Sequence, residues 1–278
     1  MSSLKQRFTK CVLGLFLAFF LVPAMVLAAP FTNWSLSLDG GANSMIVPSY
    51  LTISGLGYIE NTPTTSGLEF KEWAVFQALA NNYGKTIQDV FPGYQLTGSL
   101  YGFGVVETNA FSFNGGSLDI YVDSPRVYSD TSNDFYGAEV GTKIASFDLV
   151  SGGGTVNADT TPSGSVDAQF VSSFLLPGYF FDPYGNDIAL ESYPIEWLFA
   201  MSNTTASYET GGAVSALFKA ALLDTFGIIA TDSVPRSFFV SNSGEFTIGV
   251  VPEPGTFILL GAGLLGLAAI GRRKIRTN

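Results

Sequence analysis

Four aspartates within one 16-residue window are the side chains of this sequence best suited to bind a metal ion. They are Asp119, Asp123, Asp130 and Asp134. Calcium takes roughly six to eight oxygen ligands, which aspartates clustered around one loop can supply. The EF-hand pattern is absent, because the window lacks both the required glycine and the closing glutamate. The window therefore predicts either a calcium site outside the EF-hand class or the solvated turn residues of an acidic protein.

Other acidic residues allow two further hypotheses. The stretch FDPYGNDI at 181–188 offers Asp182, Asn186 and Asp187 as a second calcium site or as ordinary turn residues. Glu191 and Glu196 flank aromatic residues, as the paired acids of a glycosidase would, about 5 to 10 Å apart across a sugar. Residues 29–250 contain 22 acidic side chains, so some pair lies that close by chance. The spacing alone does not indicate catalysis.

The sequence lacks the residues that most hydrolases and zinc proteins need. Histidine is absent, and Cys11 is the single cysteine. Ser-His-Asp, Cys-His and HExxH chemistries are therefore excluded, together with the commonest zinc ligand. No disulfide can form within residues 29–250, so packing must stabilise them without one. We expect a protein that is not an enzyme and holds no cofactor, and bound calcium is the alternative to the absence of a cofactor.

The glycines of GAGLLG, at positions 261, 263 and 266, have the spacing of a dinucleotide-binding fingerprint. That fingerprint also needs an acidic residue about 20 positions later, and none follows Glu253. Residues 257–270 are all apolar or glycine, and a basic segment follows at 272–276. This order is typical of a membrane helix, although about 14 residues span only ~21 Å of a ~30 Å hydrocarbon layer. The tail therefore predicts a marginal membrane anchor.

The N-terminus carries a second apolar run. Lys5, Arg7 and Lys10 precede its apolar core, and small residues lead up to Ala28. These parts are typical of a secretory signal peptide cleaved after Ala28, and an uncleaved anchor is the alternative. By the positive-inside rule both basic ends stay in the cytoplasm, so the residues between them are exported. We therefore expect a signal peptide at 1–28, an exported domain at 29–250 and a sorting segment at 251–278.

The C-terminal segment resembles a PEP-CTERM sorting signal. Its parts, in order, are the tripeptide Pro252-Glu253-Pro254, the apolar helix, and an arginine-rich end that includes Arg272, Arg273 and Lys274. The resemblance implies a secreted protein of a Gram-negative bacterium that makes exopolysaccharide. It also implies transient anchoring in the inner membrane and processing near the tripeptide by exosortase, a membrane transpeptidase. The expected location of the mature protein is the cell surface or the medium.

The exported domain is strongly acidic. It keeps six of the 13 basic residues and 22 of the 23 acidic ones, which gives a formal charge of −16. A basic patch for nucleic acid or anionic lipid is therefore not expected. Neutral glycans, cationic surfaces and divalent metals remain as partners.

Short alternating stretches rich in aromatic and β-branched residues predict a mainly β domain, a sandwich or jelly roll. The predicted strands lie at 94–108, 117–123, 143–150, 164–176 and 237–251, with turns at 151–154 and 242–244. Two amphipathic helices are predicted. The helix at 66–84 rests on a Ser66/Glu69 capping box and on the spacing of Trp73 and Phe76. The helix at 212–227 rests on an apolar stripe closed by Gly227.

The order of aromatic motifs along the domain is similar to that of flocculation-associated PEP-CTERM proteins. The motifs are Tyr58-Ile59-Glu60, Tyr94-Gln95-Leu96 with Tyr101-Gly102-Phe103, Leu118 to Asp123, and Phe180 to Pro183. This resemblance implies a non-enzymatic component of the exopolysaccharide matrix that promotes cell aggregation. Two alternatives stay open: a secreted glycan-binding module, with or without calcium, and a glycoside hydrolase that uses only carboxylates.

Overall fold

The predicted exported domain, residues 29–250, is built mainly of antiparallel strands. A computed structural model of the chain describes residues 29–65, 67–130, 134–157, 162–190 and 198–250, and Ala29–Val250 form one compact unit. The strands are β1 (Ala29–Pro30), β2 (Trp34–Leu36), β3 (Met45–Val47), β4 (Leu51–Thr64), β5 (Gly67–Asn81), β6 (Gln95–Val106), β7 (Ala110–Asp123), β8 (Thr142–Asn157), β9 (Ser163–Leu175), β10 (Phe180–Phe181), β11 (Leu198–Glu209) and β12 (Ser237–Val250). The α-helices in this part of the chain are α1 (Ile87–Val90) and α2 (Ala216–Phe226), and a 3-10 helix covers Phe135–Gly137. The prediction of a mainly β fold is confirmed.

Eight long strands form one antiparallel sheet that closes on itself. Around the sheet, each strand hydrogen-bonds to the next in the order β4, β5, β6, β7, β8, β9, β11, β12. β12 then pairs with β4, from Ser237 opposite Glu60 to Phe246 opposite Leu51. Because β12 is paired on both sides, these eight strands leave no long free edge. The predicted sandwich or jelly roll, which needs two packed sheets, is therefore wrong.

Alternate residues of the eight strands point into the closed sheet and form its core. Buried side chains of this core include Phe70, Phe113, Ile120, Phe147, Phe170 and Phe246. One end of the sheet is covered by α1 and by a small sheet in the order β10, β2, β3. Trp34, Leu36 and Val47 of that small sheet are fully buried and join the same core.

A second layer packs on the outer face of β4, β5 and β12. It consists of α2 and the 3-10 helix, which contact each other. The buried cluster between this layer and the strands includes Tyr58, Trp73, Phe135, Phe218, Leu222 and Phe239. The ring centroids of Phe218 and Phe239 are 6.3 Å apart, so α2 packs directly on β12.

The ends of α2 follow ordinary capping chemistry. Ser215 precedes the helix, and its side chain accepts a hydrogen bond from the backbone N–H of Leu217. Gly227 ends the helix with a φ of 69°, a left-handed conformation that favours glycine. The predicted helix at 212–227 is confirmed in Ala216–Phe226.

The predicted helix at 66–84 is wrong, because Gly67–Asn81 form strand β5. Trp73 faces the outer layer, whereas Phe70 and Glu72 face the interior of the closed sheet. Apolar residues occur on both faces because both faces are covered, and the simple alternation of a half-exposed strand is lost. Ser66, one half of the predicted capping box, lies outside the described residues, and Glu69 lies in β5.

The remaining predicted strands are confirmed in β6, β7, β8, β9 and β12, but both predicted turns are wrong. Residues 151–154 lie within β8, and residues 242–244 lie within β12. A Cβ built on Gly154 would lie 1.7 Å from the Ser165 carbonyl oxygen, so this glycine permits a close strand approach. Asn242 is buried and lines the interior of the sheet.

Both membrane-directed segments of the sequence lie outside the described residues. They are the predicted signal peptide at 1–28, with its cleavage site at Ala28, and the predicted membrane helix within 251–278. Among the residues that the structure does describe, no helix combines the length and apolar character needed to cross a membrane. The two segments stay predictions.

Candidate functional site

Two cavities lie inside the closed sheet, and Glu72 lines both of them. The first has a volume of about 60 Å³ and the second about 100 Å³. Val166 also lines both, so the two spaces adjoin the same part of the wall. Their remaining walls are largely apolar, with Leu118 in the first and Phe238 in the second. The interior therefore offers apolar space on either side of one carboxyl group.

The carboxyl group of Glu72 is almost completely shielded from water. The residue is 6% exposed, and within the described part of the chain no donor pairs with its side chain. Burial raises the pKa of Glu72 to about 7, because the charged form loses its hydration and gains no partner. Glu72 therefore exchanges its proton near neutral pH.

Asn242 and Thr204 add polar groups to the first cavity beside Glu72. Both residues are buried and line that cavity. A Cβ built on Gly57 would lie 3.1 Å from Asn242 Nδ2 and 3.3 Å from Glu72 Oε1. Gly57 therefore lets the backbone of β4 approach both polar groups closely. The space open to a small molecule beside Glu72 is therefore that of the two cavities.

Glu72 does not stand out in the sequence when β5 is taken for a helix. In a strand, Phe70, Glu72, Ala74 and Phe76 share one face, so a carboxyl interrupts a row of apolar side chains. This interruption in FKEWAVF is the signal that points to a buried carboxyl. The correct secondary structure is needed before the signal can be seen.

The four aspartates of the predicted calcium site do not come together as one ligand set. No group of three or more potential ligands of this kind is found among the described residues. Asp119 Oδ2 lies 2.7 Å from Lys143 Nζ, and its Oδ1 accepts a hydrogen bond from Ser146 at 2.5 Å. Asp119 is therefore already engaged with a cation and a hydroxyl donor.

The other three aspartates lie in different surroundings. Asp123 is 6% exposed, its Oδ2 has no hydrogen-bond partner, and burial raises its pKa. Asp130 is exposed in the loop after β7. Asp134 is exposed at the start of the 3-10 helix and forms no side-chain cap there. Buried and solvent-facing carboxylates of this kind do not present a shared set of ligands.

The acidic stretch at 181–188 forms a turn held by its own side chains. The Asp182 carboxylate accepts hydrogen bonds from the backbone N–H groups of Tyr184 and Asn186, at 2.8 and 2.9 Å. Asp187 accepts from the backbone N–H of Gly178 at 2.6 Å and of Ala189 at 2.9 Å. Both carboxylates therefore stabilise the turn by accepting hydrogen bonds from nearby backbone N–H groups. Glu191 and Glu196, the candidate glycosidase pair, lie outside the described residues.

The outer face of β8 and β9 carries a row of exposed hydroxyl, amide and carboxylate groups. This outer polar strip consists of Ser151, Thr155, Ser165, Asp167 and Gln169. Ser151 donates a hydrogen bond to Gln169 at 3.1 Å, and the hydroxyls of Thr155 and Ser165 lie 3.0 Å apart. Trp34 and Trp73, by contrast, are buried and cannot serve as stacking platforms for sugars. Trp197 lies outside the described residues.

Comparison with known proteins places a sorting signal at the C-terminus. Residues 250–274 match the family model described as the PEP-CTERM protein-sorting motif. The match includes Pro252, Glu253 and Pro254, and it extends through Arg272, Arg273 and Lys274. The chain therefore carries a PEP-CTERM sorting motif, as the sequence predicts. This motif implies recognition by an exosortase-type system and an exported protein that is sorted to the cell surface.

Neither of the other comparisons adds to this result. No curated protein matches the chain. Among solved structures, the crystal structure of Ail, the attachment invasion locus protein of Yersinia pestis, aligns at 6% identity over 72% of this chain and 96% of that chain. The TM-score is 0.12, which carries no conclusion about this chain.

Proposed function

We propose that this protein is a non-enzymatic component of the exopolysaccharide matrix that promotes cell aggregation. The observation that carries the proposal is the PEP-CTERM motif at residues 250–274. An exosortase-type enzyme processes the chain near Pro252–Pro254, after transient anchoring by residues 257–270 in the inner membrane. The exported domain then acts outside the cell without a resident cofactor.

The surface chemistry of the domain supports association with a glycan. The outer polar strip presents hydroxyl, amide and carboxylate groups side by side on two neighbouring strands. Such groups exchange hydrogen bonds with sugar hydroxyls, either directly or through water. The formal charge of −16 on residues 29–250 leaves hydrogen bonding, rather than cationic attraction, as the source of affinity. We therefore place the glycan contact on the outer polar strip.

Two exposed tyrosines support a second candidate, a glycan-binding module without a role in the matrix. Tyr83 is 80% exposed and Tyr184 is 89% exposed, and an exposed ring can stack on the apolar face of a sugar. A simple lectin would bind purified polysaccharide as a monomer. A matrix protein would in addition change the cohesion of the cells that secrete it. Cell aggregation therefore distinguishes the two candidates.

The test is the aggregation of a deletion strain that still secretes polysaccharide. We expect its cells to disperse, and we expect the full-length gene to restore aggregation. A gene that lacks residues 252–278 should not restore aggregation, because its product is not sorted.

The outer polar strip is tested by the triple variant Ser165→Ala, Asp167→Ala and Gln169→Ala, which should be sorted but restore aggregation only weakly. The control variant, Thr62→Ala with Glu69→Ala, should restore aggregation fully. Normal aggregation of the deletion strain would refute the matrix role.

A further inference from the structure

The interior of the closed sheet has the features of a small ligand site that the matrix role does not use. Apolar cavities need no ligand by themselves, because they can stay dry. Here the cavities contain a carboxyl group that is 6% exposed and that has no donor within the described part of the chain. Burial of a carboxylate without a partner is unfavourable, because the charged form loses its hydration and gains no donor in return. A bound molecule that supplies the missing donors removes this cost.

The space around Glu72 limits the size of such a molecule. The two cavities of about 60 and 100 Å³ adjoin at Glu72 and Val166. An apolar cavity of about 150 Å³ is known to hold one benzene molecule, so each of these spaces accepts only a few carbon atoms. Gly57 borders the site without adding space to it, since a Cβ there would lie 2.9 Å from Val240 Cγ2. The site therefore suits a short amphiphile rather than a lipid chain or a sugar.

The polar groups of the site determine the kind of head group. Glu72 accepts hydrogen bonds through its carboxyl oxygens, and the hydroxyl oxygen of Thr204 can accept one as well. An ammonium group supplies three donors and a positive charge, so it satisfies several acceptors at once and pairs with the carboxylate. A ligand with a carboxylate head group would instead place a second negative charge beside Glu72 in an apolar space. The chemistry favours a primary amine.

The second cavity provides a route from solvent. Its lining includes Ser163 and Pro235, which are exposed, and Asn61 and Leu68 near the ends of β4 and β5. These residues lie at the end of the closed sheet opposite the end that α1 and the small sheet cover. A molecule that enters there would place its apolar part in the second cavity and its head group at Glu72.

We propose that the interior of the closed sheet binds a short primary alkylamine, with the ammonium group on Glu72 and the alkyl chain in the second cavity. Phe111, Phe238 and Val240 contact the alkyl chain. Thr204 accepts a further hydrogen bond of the head group in the first cavity. This activity is independent of the outer polar strip and of the sorting motif.

The test is a ligand-observed NMR titration of the full chain, held in a non-ionic amphipol, with butan-1-amine at about pH 8. We expect saturable binding, and we expect Glu72→Gln to weaken it by about tenfold or more, because the near-isosteric amide has no charge. Glu69→Gln, an exposed position on the same strand, is the matched control and should leave the affinity unchanged. Butanoate should not bind.

A second variant tests the site from the side of the alkyl chain. Ala206 lines the second cavity, so Ala206→Leu should fill it and abolish amine binding while Glu72 is retained. No saturable binding of butan-1-amine to the unsubstituted chain would overturn the proposal. A loss of less than about tenfold in Glu72→Gln would also overturn it, because the head group would then lie elsewhere.

Discussion

Glu72 links the protonation of one side chain to the stability of the whole domain. Burial raises its pKa to about 7, whereas its value without burial is 4.5. Between these two values the folded state holds a proton that the unfolded state has released. The stabilisation from Glu72 is therefore fully present below about pH 4.5 and is lost as the pH rises through about 7. Above that pH, the folded domain must bury a charged carboxylate.

We predict that Glu72→Gln stabilises the domain at high pH and not at low pH. The amide has nearly the same shape and stays neutral, so the cost of burying a charge disappears. At about pH 8 the variant should unfold with a free energy up to about 3 kcal/mol higher than that of the unsubstituted protein, and at about pH 4 the two should be equal. Denaturant unfolding at both pH values measures this difference. An equal free energy of unfolding at pH 8 would contradict it, and Glu69→Gln controls for the change of residue type.

At the scale of elements, α2 shows how a single short helix covers one wall of the closed sheet. Leu222 is fully buried against β4, β5 and β12, whereas its neighbour Leu223 is 48% exposed. The two leucines lie in the same helix, and both are exposed to solvent in the unfolded chain. A difference between the stability effects of substituting them therefore reports the contact with the sheet. A change from leucine to alanine alters helix propensity to a similar extent at both positions, so the difference between the two variants reports the packing of α2.

We predict that Leu222→Ala lowers the free energy of unfolding by about 3 kcal/mol, because it removes a buried side chain and leaves a cavity. Leu223→Ala, the matched control, should change it by less than about 1 kcal/mol. Thermal or denaturant unfolding of both variants gives the comparison. Equal effects would mean that α2 does not pack on the sheet in solution.

The elements that could be predicted from the sequence are those with strong local signals. α2 has an N-terminal serine cap, an apolar stripe and a closing glycine, and all three agree with a helix. The local sequence of β5 is ambiguous. Trp73 and Phe76 are three residues apart, a spacing that fits one face of a helix as well as a strand that is covered on both faces. The choice depends on the outer layer, whose residues lie more than 50 positions away in sequence. Local patterns carry no information about that layer.

The same reasoning explains the failed turn at 242–244. Asn-Ser-Gly is a common turn sequence, but Asn242 here lies in β12 between two paired strands. Its buried amide belongs to the group of polar side chains around Glu72, and no local pattern reveals that group. The sorting motif, by contrast, is contiguous in sequence and was therefore open to prediction without a structure. The interior site required the closure of the sheet to be known first.

At the scale of the whole molecule, closure depends on the pairing of two strands that are far apart in the chain. β4 begins at Leu51 and β12 ends at Val250, and their register joins Ser237 to Glu60 and Phe246 to Leu51. The sequence predicts β12 but not β4, and it does not predict their pairing, since strand partners are chosen by the complete set of contacts. The closed sheet separates an interior and an exterior of different polarity. Among the described residues, its interior is mainly apolar around the carboxyl of Glu72, and its exterior carries most of the acidic charge.

The exterior charge leads to a prediction about glycan association. Residues 29–250 carry a formal charge of −16, so an acidic polysaccharide is repelled over a distance set by the ionic strength. Raising the salt concentration from about 20 to about 500 mM shortens the screening length from roughly 20 Å to less than about 5 Å. Binding of the secreted protein to alginate should therefore strengthen with salt, while binding to neutral dextran should stay constant. Co-sedimentation with each polysaccharide measures both. Weaker alginate binding at high salt would contradict this prediction. It would mean that a local cationic contact, such as one with Lys143, outweighs the repulsion by the net charge, and that hydrogen bonding is not the sole source of the affinity for glycan.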